Sequence, residues 1–246
     1  MIKNVYMEVS YDGSEFNGWQ RLSNDLSVQG YLEKTFSRLL KQEILIDGSG
    51  RTDKGVHAIN QSFTFKYDDN VPLENIRYFL GNKLVKSVKI QTVKEVSSNF
   101  HARYSAVKKS YIYKINFNKN DRLFYRNYFW FVEELNIEMM EKASEYLIGE
   151  HDFTSFSSIR NKKKLANNIR NINSIDFELE NGILIIRFVG NGFLYHMIRL
   201  IVHHLVQVGL EKRPPDSTDE ILKSRSRKIT TRLAPPSGLY LEKVYY

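Results

Sequence analysis

Residues 44–65 read ILIDGSGRTDKGVHAINQSFTF, and the way this stretch divides decides the fold. Ile44 to Ile46 is a short apolar run, and Ile59, Gln61, Phe63 and Phe65 recur at every second residue. Two strands therefore flank a connection that holds Gly48, Gly50 and Gly55. Before it, Val5, Met7, Val9 and Tyr11 alternate along a strand that ends at Asp12-Gly13, and Val28, Tyr31, Leu32, Phe36, Leu39 and Leu40 lie at helical spacing. After it, Pro72 opens a second helix, LENIRYFLGNKL (73–84), and 88–96 reads as a further strand. The order through residue 96 is β-α-β-β-α-β.

The second half repeats that order with insertions. A strand over 108–117 carries Tyr111, Tyr113, Ile115 and Phe117 on one face, an added strand lies near 128–132, and a helix covers 137–148. Strands over 172–179 and 183–189 are joined by Asn181-Gly182, the dipeptide of a two-residue hairpin. A long helix over 193–208 stops at Gly209, Ser217 and Glu220 read as a capping box for a short helix, and 239–246 is the final strand. Two split βαβ units make an α+β protein of two ferredoxin-like (RRM-like) halves. Their sheets are expected to join into one mixed, largely antiparallel sheet flanked by helices. The expected halves are 1–105 and 106–246, without a flexible linker, and a cleft between halves is the natural place for a site.

At 246 residues the chain is long enough for one or two domains at roughly 150 residues each. Hydrophobic residues at 42% and charged residues at 26% exclude wholesale disorder and fibrous repeats. Lys and Arg number 36 against 28 Asp and Glu, a net +8 that fits either a polyanionic partner or a basic surface kept for solubility. The absence of Cys excludes disulfides, thiolate catalysis and sulfur-ligated metal, and suits a reducing compartment. Lys3, Asn4 and Glu8 interrupt any signal-like apolar run, and no stretch is long enough to span a membrane, so the expected location is the cytoplasm.

Chemistry concentrates in GSGRTDKGVHA (48–58). A P-loop is excluded, because Asp53 stands where the second glycine belongs when counting from Gly48, and Val56 stands where Lys belongs when counting from Gly50. The dinucleotide fingerprint fails at Asp53 as well. What remains is a carboxylate flanked by Arg51 and Lys54, whose positive charge favours the ionised form. Two readings stand: a turn Asp bonded to its own backbone, or a nucleophile or base held beside groups that bind an anionic substrate. His196, His203 and His204 share one helix, but no i, i+4 His pair forms, so no metal site is expected.

GRTDKGVHA (50–58) resembles the defining motif of the TruA family of tRNA pseudouridine synthases, and the resemblance runs the length of the chain. It includes YDGSEFNGWQR (11–21), SVQGYLE (27–33), NFHARYSA (99–106), HDFTSFS (151–157), FLYHMIR (193–199) and PPSGLYL (235–241). The resemblance implies a cofactor-independent isomerase that converts uridine to pseudouridine at positions 38, 39 and 40 of the tRNA anticodon stem-loop. It also implies tRNA as partner, a homodimer, and neither a nucleotide cofactor nor a membrane.

Carried over residue by residue, Asp53 matches the family's essential aspartate, which promotes cleavage of the uridine N-glycosidic bond. Tyr111 matches the tyrosine that lies against the target base; spacing alone does not choose it over Tyr113. Arg199 lies in a helix that is apolar on nearly all sides, where a guanidinium needs an anion, and the resemblance pairs it with the catalytic aspartate. Leu200 stands where many family members carry Asn. Arg51 matches the arginine implicated in holding the displaced nucleotide. Lys54, Lys108 and Lys109, with Arg160, Lys162, Lys163 and Lys164, are expected to meet phosphates. A non-catalytic RNA-binding protein with two RRM-like halves is the competing reading, and it lacks the RNP1 signature.

Overall fold

The computed structural model describes residues 1–23, 26–68, 71–76, 78, 84–158, 167–230 and 232–246. The helix expected from Pro72 lies partly outside these residues, with 73–76 helical, and Arg160 and Lys162 to Lys164 lie outside them altogether. Among the described residues ten strands form a mixed, largely antiparallel sheet flanked by helices, so the protein is α+β as its sequence predicts. The chain makes two compact units, Met1–Lys109 with Tyr240–Tyr246, and Ser110–Leu239.

In the first unit β1 (Ile2–Tyr11), β2 (Ile46–Gly48), β3 (His57–Asp68) and β4 (Val88–Val96) follow the order β4-β1-β3, with β2 antiparallel to β3. Val5 faces Phe65 and Met7 faces Phe63 in the β1–β3 register. The helix Val28–Leu40 buries Val28, Leu32, Phe36 and Leu40, one residue per turn along a single stripe. Its Phe36 ring meets those of Phe63 and Phe65 at 6.1 and 5.4 Å. Each such side chain contributes about 2 kcal/mol on burial, so this stripe holds the helix to β3. Ser27 caps the helix by accepting from Gly30 N–H. The last strand, β10 (Leu239–Tyr245), returns to pair in parallel with the start of β3, Tyr240 opposite His57.

In the second unit β5 (Lys108–Asn116, its first two residues counted with the first unit), β6 (Trp130–Phe131), β7 (Gly149–Asp152), β8 (Ile169–Glu180) and β9 (Ile183–Gly190) run in the order β5-β9-β8-β7, with β6 parallel to β5. Asn181 and Gly182 take φ values of 51° and 77°, so both turn residues are left-handed, as a type I′ hairpin requires. Several features differ from the sequence reading, among them a short helix, Arg122–Tyr125, that was not expected, and a helix that ends at Glu145 rather than 148. β7, GEHD, has no apolar alternation and was not expected; it exists because its backbone pairs with β8. The helix expected from residue 193 starts at Met197, because His196 at φ 65° interrupts it. The capping box at Ser217 does not form, since the helix Ser217–Ser224 already includes Ser217, whose hydroxyl donates back to Pro214 O at 2.5 Å.

Candidate active site

The connection between β2 and β3 is held at Ser49, Gly50, Thr52 and Val56 by side chains and backbone from elsewhere in the first unit. Tyr11 hydroxyl pairs with Thr52 Oγ1 at 2.8 Å, and Trp19 N–H donates to Thr52 O at 3.1 Å. Gly13 N–H donates to His57 Nδ1 at 3.0 Å, and Gly13 lies so close that a Cβ there would overlap the Val56 carbonyl. His57 in turn stacks on Tyr240 with centroids 4.5 Å apart. The segment YDGSEFNGWQ thus packs its backbone against 52–57, where side chains larger than glycine would not fit at residue 13. Asp53 heads a tight turn in which Val56 N–H donates to Asp53 O at 3.1 Å. Its carboxylate is half-buried, while Arg51 and Lys54 on either side are exposed.

Buried polar side chains complete the frame. Gln61, fully buried on the face it shares with Phe63 and Phe65, accepts from Ser49 Oγ at 2.6 Å and donates to Gly50 O at 3.0 Å. Lys109 Nζ donates to Ser49 O at 2.6 Å, so the carbonyls of Ser49 and Gly50 are both gripped just ahead of Arg51. Burial, with the Arg103 charge, brings the Lys109 ammonium down to about 8. From the helix Val28–Leu40, Gln29 Nε2 donates to Ile46 O and Glu33 Oε1 accepts from Ile46 N–H, at 3.0 and 2.9 Å. These two side chains serve β2 as a neighbouring strand would. Lys108 is half-buried with its Nζ 4.8 Å from the Tyr245 ring.

In the second unit the structure separates the two candidate tyrosines. Tyr113 is fully buried, its hydroxyl donates to Pro235 O at 2.8 Å, and its ring packs on Trp130. Burial raises its hydroxyl well above the usual tyrosine range. Tyr111 keeps 9% of its surface, and its ring meets Phe193 edge to face at 5.3 Å. Both tyrosines are buried, but Tyr113 is wholly enclosed whereas Tyr111 keeps a small accessible edge. Arg199 is half-buried, its Nε donates to Ala234 O at 2.8 Å, and its own carbonyl accepts from Ala234 N–H. The guanidinium plane is therefore fixed. Leu200 beside it is buried in the helix Met197–Gly209.

A family model described as tRNA pseudouridine synthase matches residues 7–105 and 143–246. A protein named tRNA pseudouridine synthase A 2 from Bacillus cereus is 39% identical over 247 residues, spanning 100% of both chains. Another named tRNA pseudouridine synthase A, from a Thermoanaerobacter species, is 40% identical over 246 residues, again spanning 100% of both. The chain belongs to the TruA family of tRNA pseudouridine synthases. A chain of a solved Cbf5-Nop10-Gar1 complex is 13% identical, with a TM-score of 0.36 over 82% of this chain and 54% of that one, too slight a likeness to carry weight.

Pseudouridine synthases are isomerases, and this TruA-family chain is one of them. Asp53, Arg51, Lys54, Lys108 and Lys109 belong to the first unit, Tyr111 and Arg199 to the second. Among the described residues no group of three His, Asp or Glu side chains could hold a metal ion, and no helix is long and apolar enough to cross a membrane. The braces Tyr11, Gln29, Glu33, Gln61 and His57 were not singled out by sequence reasoning. One signal was present: Gln61 is a polar residue on an otherwise apolar strand face, where it must find partners on burial.

Proposed function

We propose that this chain isomerises uridine to pseudouridine at positions 38, 39 and 40 of the tRNA anticodon stem-loop, as a cytoplasmic homodimer, with Asp53 as the catalytic carboxylate. The observation that carries this reading is the bracing of the Asp53 turn by Thr52, Val56 and His57 contacts from residues 11–19. A turn Asp serving only its own backbone needs no such frame. A carboxylate that must meet a reacting sugar or base does, since small misplacements cost large factors in rate.

The chemistry needs no co-reactant. The N1–C1′ bond breaks, the base turns, the C5–C1′ bond forms, C5 loses a proton and N1 gains one, so product and substrate have the same atoms. Asp53 assists departure of the base, and Tyr111 lies against the base and helps the C5 proton leave. Arg199, its fork aimed by Ala234, is assigned as the counter-charge of the carboxylate. Arg51, Lys54 and Lys108 meet the phosphates and the displaced nucleotide, while Lys109 spends its first hydrogen bond on the loop itself. The test is to map pseudouridines in tRNA from cells with and without this protein. Modification at 38, 39 and 40 that depends on the protein is expected, and an unchanged map overturns the reading.

A further inference from the structure

Residues 99–106, NFHARYSA, take no part in the isomerisation proposed above, and half of them are anchors. Ala102 is fully buried; its N–H donates to Thr64 Oγ1 at 3.4 Å and its carbonyl accepts from the Tyr246 hydroxyl at 2.9 Å. The Phe100 ring meets Tyr6 and Tyr246 at 5.6 and 4.9 Å, and Asn4 Nδ2 donates to its carbonyl. The turn also closes on itself. Ser105 N–H donates to His101 O, His101 N–H to Ser105 Oγ, and Arg103 N–H to His101 Nδ1, at 2.9, 3.1 and 3.0 Å. The backbone from 100 to 105 is thereby fixed, and His101 Nε2 lies 3.9 Å from Asp47 Oδ2.

This rigid turn holds an aromatic ring in water. Tyr104 is 77% exposed, with the His101 ring at 4.4 Å and the exposed Arg103 guanidinium 5.7 Å from its centroid. The turn borders the Asp53 loop, since His101 faces Asp47 beside Gly48, and Arg103 is near enough to act on Lys109, which holds Ser49 O. An exposed ring beside a guanidinium, on a backbone that needs no ordering, offers a nucleobase a stacking face and its phosphate a charged fork. The Arg103 guanidinium and the His101 imidazole meet the ring, with the Asp47 carboxylate beyond the imidazole, and it is the guanidinium beside an open ring that favours a base joined to a phosphate.

We propose that Tyr104 and Arg103 form a binding site for an unpaired base and its adjoining phosphate in the RNA substrate, beside the Asp53 loop and outside the bond-breaking step. The proposal rests on the tRNA reading above. Its test uses the whole protein with an unmodified tRNA transcript, measuring Kd across salt concentrations together with kcat and KM. Tyr104→Ala should weaken binding about tenfold and raise KM with kcat at saturation retained. Tyr104→Phe and Tyr104→Trp, which keep a stacking face, should bind as the parent does. Arg103→Gln should lower the slope of log Kd against log salt by about one, a slope that Tyr104→Ala leaves alone. Both side chains are exposed, so melting temperatures should not move. Parental affinity in Tyr104→Ala, while the parent binds and modifies tRNA, overturns the site and leaves the proposed function standing. A changed oligomeric state at unchanged tRNA affinity also overturns it, giving the ring to a second copy of the chain. A parent that neither binds nor modifies tRNA overturns the function itself, and this site with it.

Discussion

Each unit places a β-hairpin at the same step of its strand order, β2 to β3 in the first and β8 to β9 in the second, and the two connections are built on opposite terms. Asn181 and Gly182 reverse the chain by their own backbone preference with one bond from outside, Phe117 N–H to Gly182 O at 3.0 Å, and a Cβ on Gly182 would meet nothing within 4 Å. Residues 49–56 depend instead on Tyr11, Gly13, Trp19, Gln61 and Lys109, which grip them by hydrogen bonds or by a backbone approach too close for a Cβ. A turn that only reverses the chain is encoded in two residues. A turn held from outside is encoded in residues spread from 11 to 109.

The contrast is broken most severely at Gly13. Gly13→Ala forces a methyl into the Val56 carbonyl, where backbone rather than a movable side chain must give. Destabilisation of about 3 kcal/mol is expected in denaturant unfolding, with isomerisation reduced in the molecules that remain folded. A change within about 0.5 kcal/mol would show that the loop does not need this approach.

Acid sharpens the contrast from the second unit. His204 is buried beside Thr218 Oγ1 at 2.9 Å, and burial, with the Arg213 and His203 charges, brings it down to about 4. The unfolded chain then binds the proton more tightly, so stability is lost as pH falls from about 6.5 towards about 4, by about 3 kcal/mol. His204→Gln should flatten that slope in pH-dependent unfolding, and an unchanged slope would assign the acid limit to other groups.

The tyrosines of β5 should separate stability from activity. Tyr113→Phe leaves Pro235 O without its buried donor and should cost about 1.5 kcal/mol with turnover kept. Tyr111→Phe should cost less stability and more turnover. The opposite pattern would put the wrong tyrosine against the base. The smallest effect is expected at the second hairpin, where Gly182→Ala strains only a left-handed residue, for about 1 kcal/mol and no change in isomerisation.

What the sequence discloses follows the same division. The stripe Val28, Leu32, Phe36 and Leu40, the alternation along β1 and β3, and Asn181-Gly182 are legible because each is a local pattern with a local physical cause. Asp53 stands out by exclusion of phosphate cradles and by family resemblance. The residues that hold its loop stay hidden, because bonds such as Lys109 to Ser49 O or Glu33 to Ile46 N–H join positions far apart in the chain and leave no period. β7 and the start of the helix Met197–Gly209 were hidden for a related reason: backbone pairing and one left-handed residue decide them, not side-chain pattern.

The most direct test of the central claim is single-turnover isomerisation of a tRNA transcript by Asp53→Asn. The substitution removes a charge and keeps the shape of a half-buried side chain on a turn whose backbone bonds it does not touch. The account predicts a folded protein that binds tRNA with affinity near the parent's and forms no pseudouridine at positions 38 to 40. Pseudouridine formed there at the parental rate would contradict it, and would leave the braced loop without its chemical purpose.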